Sequence, residues 1–394
     1  MASRAPPGPP VRRAAAAPDG ASNAGPLTLD GLSEVLLHLP AKELCRLRTI
    51  CRPWRTLLSD PGFAATHATR KQGPLIVVSY ADSTEGHHLA DILDVSGKIV
   101  KRVHRTEGEV VVSMAFDLVC VKTVEGGSTR LLNPATGAVY HLPHNLAKEH
   151  LACGFKLRDY GEPVYLFGKV ASTIEYKVLR MLQFRGHGNR KDLFEVCTAN
   201  RRSCVQWRGK KGPQESVVWN QWTRVVIGGV VYFLTVDAYF AVLNHQVTDE
   251  SWIVSFDLEA EEWAPGIKGP NNLLDDERLN GYDGPLAKQL TLANLNDSLV
   301  IVHGPTPYMD LWFLMDSEKG LWIKYYSVQV ERYRDIMPVH PLVLLGDGRI
   351  VMRCMDLLQI HDPRANTFSD MLKLSHFSGI NMYTGNLLSL DGED

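Results

Sequence analysis

Residues 27–63, LTLDGLSEVLLHLPAKELCRLRTICRPWRTLLSDPGF, decide how the rest of the chain is to be read. Asp30 suits a helix cap, because its carboxylate can accept from first-turn amides that have no helical partner. Behind it Leu32, Val35, Leu36 and Leu39 recur at i, i+3, i+4 and i+7, which puts them on one helical face. Pro40 ends that helix, since it lacks an N–H and disfavours helical backbone at the residue before it. A second helix is predicted to carry Leu44, Leu47, Ile50, Cys51 and Trp54 at the same spacing. Pro53 breaks it and serves as the first position of a third short helix, where a missing N–H costs little. Trp54, Leu57 and Leu58 form the apolar face of this last piece. Three helices this short cannot hide their own apolar surface, so they need cover from the chain's larger domain or from another polypeptide.

On the N-terminal side, residues 1–26 are Ala, Pro, Gly and Arg with almost nothing to anchor a fold, the composition of a disordered arm. Arg4, Arg12 and Arg13 ahead of the first acid hint at a transit peptide, but Pro6, Pro7, Pro9 and Pro10 oppose the amphipathic helix such segments use. On the C-terminal side a connector at 65–74, with Arg70-Lys71, leads to a change of texture. From Leu75-Ile76-Val77-Val78 onward the sequence is a succession of short β-branched and aromatic runs punctuated by Gly, Asn, Asp and Pro, which predicts an all-β domain over 75–394. Hairpin turns are expected at Gly126-Gly127 and at Gly346-Asp347-Gly348. Hardly a helical stripe is visible past residue 75.

A repeat runs through this region: an apolar strand, a turn with Asp or Asn, then an apolar or aromatic residue several positions on. It occurs at Leu93-Asp94, Leu132-Asn133 before Tyr140, Cys197 to Asn200 before Trp207, Phe256-Asp257 before Trp263, Met315-Asp316 before Trp322, and His361-Asp362 before Phe368. Its average period, about 54 residues, is close to the roughly 50 of a kelch-like propeller blade. The fold expected is α+β as a whole: three helices followed by a β-propeller of about six or seven blades, an irregular β-sandwich pair being the alternative. Ring closure is expected from a strand near Leu75 to Tyr80 pairing with the C-terminal end, which removes open sheet edges.

The pattern from Leu27 through Glu34-Val35-Leu36, Leu39-Pro40, Lys42, Leu44, Arg46-Leu47-Arg48, Ile50-Cys51-Arg52, Trp54-Arg55, Leu57-Leu58 and Ser59-Asp60-Pro61 to Phe63 resembles a plant-type F-box over 27–64. Thr28 stands where that family has Pro, and Pro53 where it has Ser, Lys or Arg. Leu131 to Gly137, Gly228 to Leu234, Ser255 to Leu258 with Glu262-Trp263, Leu321 to Lys324, and Ile360 to Pro363 are similar to F-box-associated β domains. The resemblance implies a substrate receptor of a Skp-cullin-F-box ubiquitin ligase, with no catalysis in this chain. Adaptor docking is then assigned to Leu27, Leu32, Val35, Leu36, Leu39, Pro40, Leu44, Leu47, Ile50, Cys51, Trp54 and Leu57. The partners implied are the Skp adaptor, cullin through it, and a target protein held by the β domain, with residence in cytoplasm or nucleus. Burying five or six such side chains is worth roughly 1.5–3 kcal/mol each before association costs.

Other function classes find less support. A net charge of −2 over 394 residues argues against a nucleic-acid binder by bulk electrostatics. The stretch 180–211 is locally basic, with Arg180, Arg185, Arg190, Lys191, Arg201, Arg202, Arg208, Lys210 and Lys211, and Trp207, Trp219 and Trp222 could stack on bases. The plainer expectation is a solvated propeller rim. The acidic run Asp275-Asp276-Glu277 is read as a solubilising loop. No apolar run of 18 residues is present, so no membrane contact is expected. Seven cysteines without Cys-x-x-Cys spacing predict buried thiols, with no disulfide and no zinc. The histidines, including His87-His88, His141 and His144, lack ligand spacing, and Gly186 to Arg190 lacks the context of a nucleotide loop. No cofactor is expected. Two rivals stay open: an F-box scaffold whose β domain binds nucleic acid or another ligand without ubiquitin transfer, and a propeller enzyme capped by the helices.

Overall fold

The computed structural model describes residues 29–39, 44, 46–60, 62–63, 66–67, 73–80, 88–104, 108–123, 127–134, 137–170, 172–173, 175–185, 192–199, 206–244, 246, 250–273, 288–305, 308–330, 339–354, 356–373 and 377–384. Leu27, Pro40, the N-terminal arm and the acidic run at 275–277 lie outside them.

Helix α1 spans Leu29–Leu36, so Asp30 sits inside the first turn and is not its cap. The backbone is helical at Leu44, Arg46 and Leu47 and then turns through 48–50. The second helix therefore ends before Ile50, Cys51 and Trp54, which had been expected on it. Cys51 is extended (φ −155°) and caps α2, Arg52–Leu58, with Pro53 in its first turn. Arg48 holds the break in place by donating to the Leu58 carbonyl through Nε (3.2 Å) and Nη2 (2.7 Å).

Among the described residues, six four-stranded antiparallel sheets follow. The first contains β1 (Leu75–Tyr80), β2 (His88–Leu93) and β3 (Ile99–His104); the second β4 (Glu109–Ala115), β5 (Leu118–Thr123), β6 (Thr129–Leu132) and β7 (Val139–Leu142). The third holds β8 (Val164–Lys169), β9 (Tyr176–Leu182), β10 (Leu193–Ala199) and β11 (Arg208–Lys210); the fourth β12 (Arg224–Ile227), β13 (Val230–Leu234), β14 (Ile253–Asp257) and β15 (Glu262–Ile267). The fifth holds β16 (Lys288–Leu295), β17 (Ser298–Pro305), β18 (Tyr308–Asp316) and β19 (Leu321–Gln329); the sixth β20 (Val339–Leu344), β21 (Ile350–Cys354), β22 (Leu357–Asp362) and β23 (Thr367–Lys373). The last strand, β24 (Phe377–Tyr383), pairs antiparallel with β1, from Leu75 opposite Tyr383 to Val78 opposite Ile380, and completes the first sheet. Strands β4, β8, β12, β16, β20 and β24 touch one another in that order and β24 returns to β4, so they are the inner strands of a closed ring. The molecule is a six-bladed propeller.

Packing between blades explains the sequence texture. A sheet covered on both faces has no solvent side, so its strands read as continuous apolar runs, as in β1, where Leu75 to Ser79 are all buried. The repeated Asp has an equally local cause: Asp94, Asp257, Asp316 and Asp362 each stand at the end of a third strand and organise the turn to the fourth. Asp94 Oδ1 accepts from the Ser96 (2.9 Å) and Lys98 (3.1 Å) amides, and Asp257 Oδ1 from Glu259 (2.7 Å) and Ala260 (3.1 Å). Asp316 and Asp362 do the same for Lys319 (3.1 Å) and Arg364 (2.9 Å). Gly97 (φ +80°) and Gly348 (φ +88°) supply the left-handed backbone that their turns require.

The tryptophan that follows the turn ties neighbouring blades together. Trp207, Trp263 and Trp322 donate their indole N–H to the carbonyls of Pro143 (2.7 Å), Lys211 (2.7 Å) and Lys268 (2.8 Å), each just past the outer strand of the preceding blade. Trp322→Phe keeps most of the apolar bulk but leaves the Lys268 carbonyl without that donor. The expected result is a loss of about 1–2 kcal/mol in urea unfolding, seen as a lower midpoint with an unchanged slope.

Among the described residues, two helices interrupt the β domain where hardly any was expected: α3 (Lys148–Ala152) between β7 and β8, and α4 (Val236–Leu243) between β13 and β14. Thr235 caps α4, its hydroxyl accepting from the Ala238 amide (3.3 Å) and donating to the Ser251 carbonyl (2.8 Å). Cysteine usage also differs from expectation: Cys197 is disulfide-bonded, to a partner outside the described residues, while Cys51, Cys120 and Cys153 are thiols.

Candidate functional site

Two regions stand out, the N-terminal helices and the axis of the ring. In the helices the apolar stripe has an inner and an outer edge. Leu36, Leu44, Leu58 and Phe63 are buried in a cluster that continues through Leu75 and Val77 of β1, Val119 and Val121 of β5, and Tyr383 of β24. Leu32, Leu39, Leu47, Trp54 and Leu57 are half-buried against it. Val35 (52 % exposed) and Ile50 (62 %) face solvent, as does the Cys51 thiol. The helices are thus seated on the propeller by their leucines and still present apolar side chains outward. Leu36 and Leu44 were assigned to a partner's surface, but this chain already covers them. His67, itself buried, fixes the seat with a ring nitrogen 2.8 Å from the Leu39 carbonyl.

The basic stretch 180–211 does not form an open cationic surface over its described part. Arg180 is 1 % exposed and faces Glu195 across the β9–β10 ladder; its Nε donates to Glu195 Oε2 (2.7 Å) and its Nη2 to the Asn145 carbonyl (2.7 Å). Trp207 packs beneath it, 4.3 Å from ring centre to guanidinium carbon, and so is no platform for a base. Arg208, Lys210 and the nearby Lys177 converge on Glu261. Burial alone would raise the Glu261 carboxyl, but hydrogen bonds from these three cations hold it down at about 2. Trp219 donates to Asp192 (2.9 Å). Arg190, Lys191, Arg201 and Arg202 lie outside the described residues.

The inner strands enclose an axial cavity of about 560 Å³. At its lower mouth the inner strands end and the chain enters β1; Pro74, Phe116, Asn296, Asp297 and Tyr383 line it. At its upper mouth the inner strands begin, and Trp222, Arg224, His340 and Arg353 line it. Trp222 belongs to a 3-10 turn, Gln221–Thr223, that leads into β12, and its ring centre lies 4.4 Å from that of His340 on β20. The guanidinium carbon of Arg353, on β21 opposite His340, lies 4.9 Å from the same indole. Burial, with Arg353 nearby, holds His340 neutral, its pKa down at about 3. Sequence reading singled out Trp222 as a stacking face but did not connect it to His340 or Arg353, which come from a blade more than a hundred residues on.

Residues 27–65 match the F-box domain family, and residues 70–360 match the F-box associated beta propeller domain family. The chain belongs to that family. This F-box protein is 24 % identical over 393 residues to F-box protein At3g07870 of Arabidopsis thaliana, with 87 % of this chain and 86 % of that one covered. It is 19 % identical to F-box protein At5g49610 of the same plant, covering 89 % and 92 %. Among solved structures it is similar to a chain of the nidogen/laminin complex (12 % identity, TM-score 0.39, covering 80 % of this F-box protein and 99 % of that chain).

Proposed function

We propose that this F-box protein is the target-recognition subunit of a Skp-cullin-F-box ubiquitin ligase, working in cytoplasm or nucleus. The helices dock the Skp adaptor, and the propeller holds the protein to be modified. The reading is supported by the order of the two matched domains and, above all, by helices that leave Val35 and Ile50 uncovered after their leucines have been seated. No bond chemistry belongs to the chain in this role. It acts by raising the effective concentration of the target beside the ubiquitin-charged enzyme.

Charge placed on the uncovered edge tests the docking. The double substitution Val35→Asp, Ile50→Asp should abolish capture of the Skp adaptor while leaving the thermal transition of the propeller in place, since neither side chain is buried. Leu36→Asp is the wrong tool: at 2 % exposure it would bury a charge within the chain and unseat the helices whatever they bind. Undiminished adaptor capture by the Val35/Ile50 variant would remove this surface from consideration.

A further inference from the structure

The upper mouth of the axial cavity combines two guanidinium groups with an indole, and its described lining residues include no Asp or Glu. The acid that lines the cavity, Asp297, follows the end of β16 and so belongs to the lower mouth. Arg224 opens β12 and donates to the Trp219 carbonyl (3.3 Å), but makes no ion pair among the described residues. Its side chain is half-buried, and burial lowers its pKa to about 10. Arg353 is affected in the same direction by burial, and Asp356, beyond the end of β21, acts oppositely on it. Arg224, half-buried and with no acidic partner among the described residues, is the charge that a bound anion would stabilise.

The indole is fixed in place. The Asn220 side chain accepts from the Trp222 amide (2.9 Å), and the Thr223 hydroxyl donates to the carbonyls of Asn220 (2.7 Å) and Val218 (3.1 Å). Trp222 leads into the fourth blade and touches His340 of the sixth, so its ring passes the fifth blade's inner strand and lies across the mouth. Neutral His340 beneath it adds no competing charge. The planar fork of a guanidinium matches a carboxylate or a phosphate, and an indole offers a wall to whatever carries that group.

We propose that the upper mouth is an anion-recognition site that takes the carboxylate or phosphate of an acidic side chain on an extended segment of the target polypeptide. Arg224 and Arg353 are the donors and Trp222 is the wall. This rests on the propeller's being the target-holding domain. A polypeptide is the occupant because this mouth lies away from the point where the helices join the ring, at Leu75 beside Tyr383, and is open to a chain arriving from outside. A cavity of this size admits one or two side chains.

The test uses the full chain, with its adaptor, and ligand-observed NMR. The probes are inorganic phosphate and three blocked tripeptides: Gly-Glu-Gly, Gly-phosphotyrosine-Gly and, as the neutral control, Gly-Gln-Gly. At least one acidic tripeptide should bind in preference to the neutral one, and Arg224→Gln and Arg353→Gln should each weaken it about tenfold or more. Arg224→Lys, which keeps the charge without the fork, should fall between. Equal binding of Gly-Glu-Gly, Gly-phosphotyrosine-Gly and Gly-Gln-Gly, or full affinity in folded Arg224→Gln, overturns the proposal. Binding of inorganic phosphate with no binding of either acidic tripeptide overturns the polypeptide occupant. Adaptor capture, read in parallel, keeps the two readings apart: its loss with anion binding intact counts against the ligase role alone, and the converse against this site alone.

Discussion

Removal of residues 377–394 should yield a chain with no cooperative unfolding transition, recovered mainly as aggregate. The deleted β24 is the inner strand of the first blade, and it pairs with β1 from Leu75 to Tyr80. Ile380 (8 % exposed) and Tyr383 (3 %) lie in two different apolar clusters, so their loss opens the core on both sides of the blade. Asn381 also donates to the Met114 carbonyl (2.6 Å), and the Thr384 amide to that of Phe116 (2.9 Å), which tie the first blade to the second. Each buried side chain is worth roughly 1.5–3 kcal/mol. Together with the ladder hydrogen bonds this matches the whole stability of an ordinary domain, about 5–15 kcal/mol. The truncation also leaves β1, apolar from Leu75 to Val78, as an unpaired edge ready to aggregate. Thermal unfolding followed by circular dichroism, with sedimentation of the purified chain, decides the matter. A monomeric truncated chain melting within about 5 °C of the full one would show that β24 is an accessory to the ring and not its closure.

That closure was legible in the sequence, and so was the blade number to within one, for local reasons. The Asp at the end of a third strand supplies acceptors to turn amides at Asp94, Asp257, Asp316 and Asp362, and a requirement that local imprints itself on sequence at the blade period. Helix α4 was missed because VDAYFAVL is apolar around most of its circumference, so no stripe distinguishes it from a buried strand. Only its cap, Thr235, carried a helical signal. The break after Leu47 was placed too late for a related reason: helix-like spacing continues to Trp54, while the Arg48 hydrogen bond to the Leu58 carbonyl and the extended backbone at Cys51 leave no trace in that spacing.

The site was legible in part. Periodicity places Val35 and Leu36 on the same stripe, but these sequence neighbours have opposite surroundings, one 52 % exposed and the other 2 %. Which edge of a stripe the chain covers depends on the domain that it meets, and that is a property of packing. The upper mouth was less legible still. Arg224 and Arg353 reach one cavity only because six inner strands converge on an axis, and no spacing along the chain encodes that convergence. The basic stretch shows the converse, since the charge count of 180–211 hides the pairing of Arg180, Arg208 and Lys210 with carboxylates.

The substitution Glu195→Gln should cost about 3–5 kcal/mol in urea unfolding at neutral pH, far more than any surface ion pair of this chain. Glu195 is fully buried and joins four groups: it accepts from Arg180, from the Ala147 amide (2.7 Å) and from His150 Nδ1 (2.9 Å), with Trp207 closing over the guanidinium. These contacts pin the connection between the second and third blades onto the β9–β10 pair. The isosteric amide fills the same space, but it strands the Arg180 charge and presents an NH2 where acceptors are needed. The pH dependence gives a second readout. Burial works to raise the Glu195 carboxyl, yet the His150 hydrogen bond, the Arg180 charge and the Ala147 amide together hold it below the usual carboxylate range. A carboxylate lowered in the folded state stabilises fully above its unfolded value, about 4.3, and the contribution fades as pH falls through the folded value. The gap between wild type and Glu195→Gln should therefore be flat from neutral pH down to about 5 and narrow below about 4. Lys319→Ala, which removes only the exposed partner of Asp316 and leaves the turn's backbone bond in place, should show no measurable loss at any of these pH values. If Glu195→Gln unfolds at the wild-type urea midpoint, the buried network is a bystander, and apolar packing around Trp207 alone holds the two blades together.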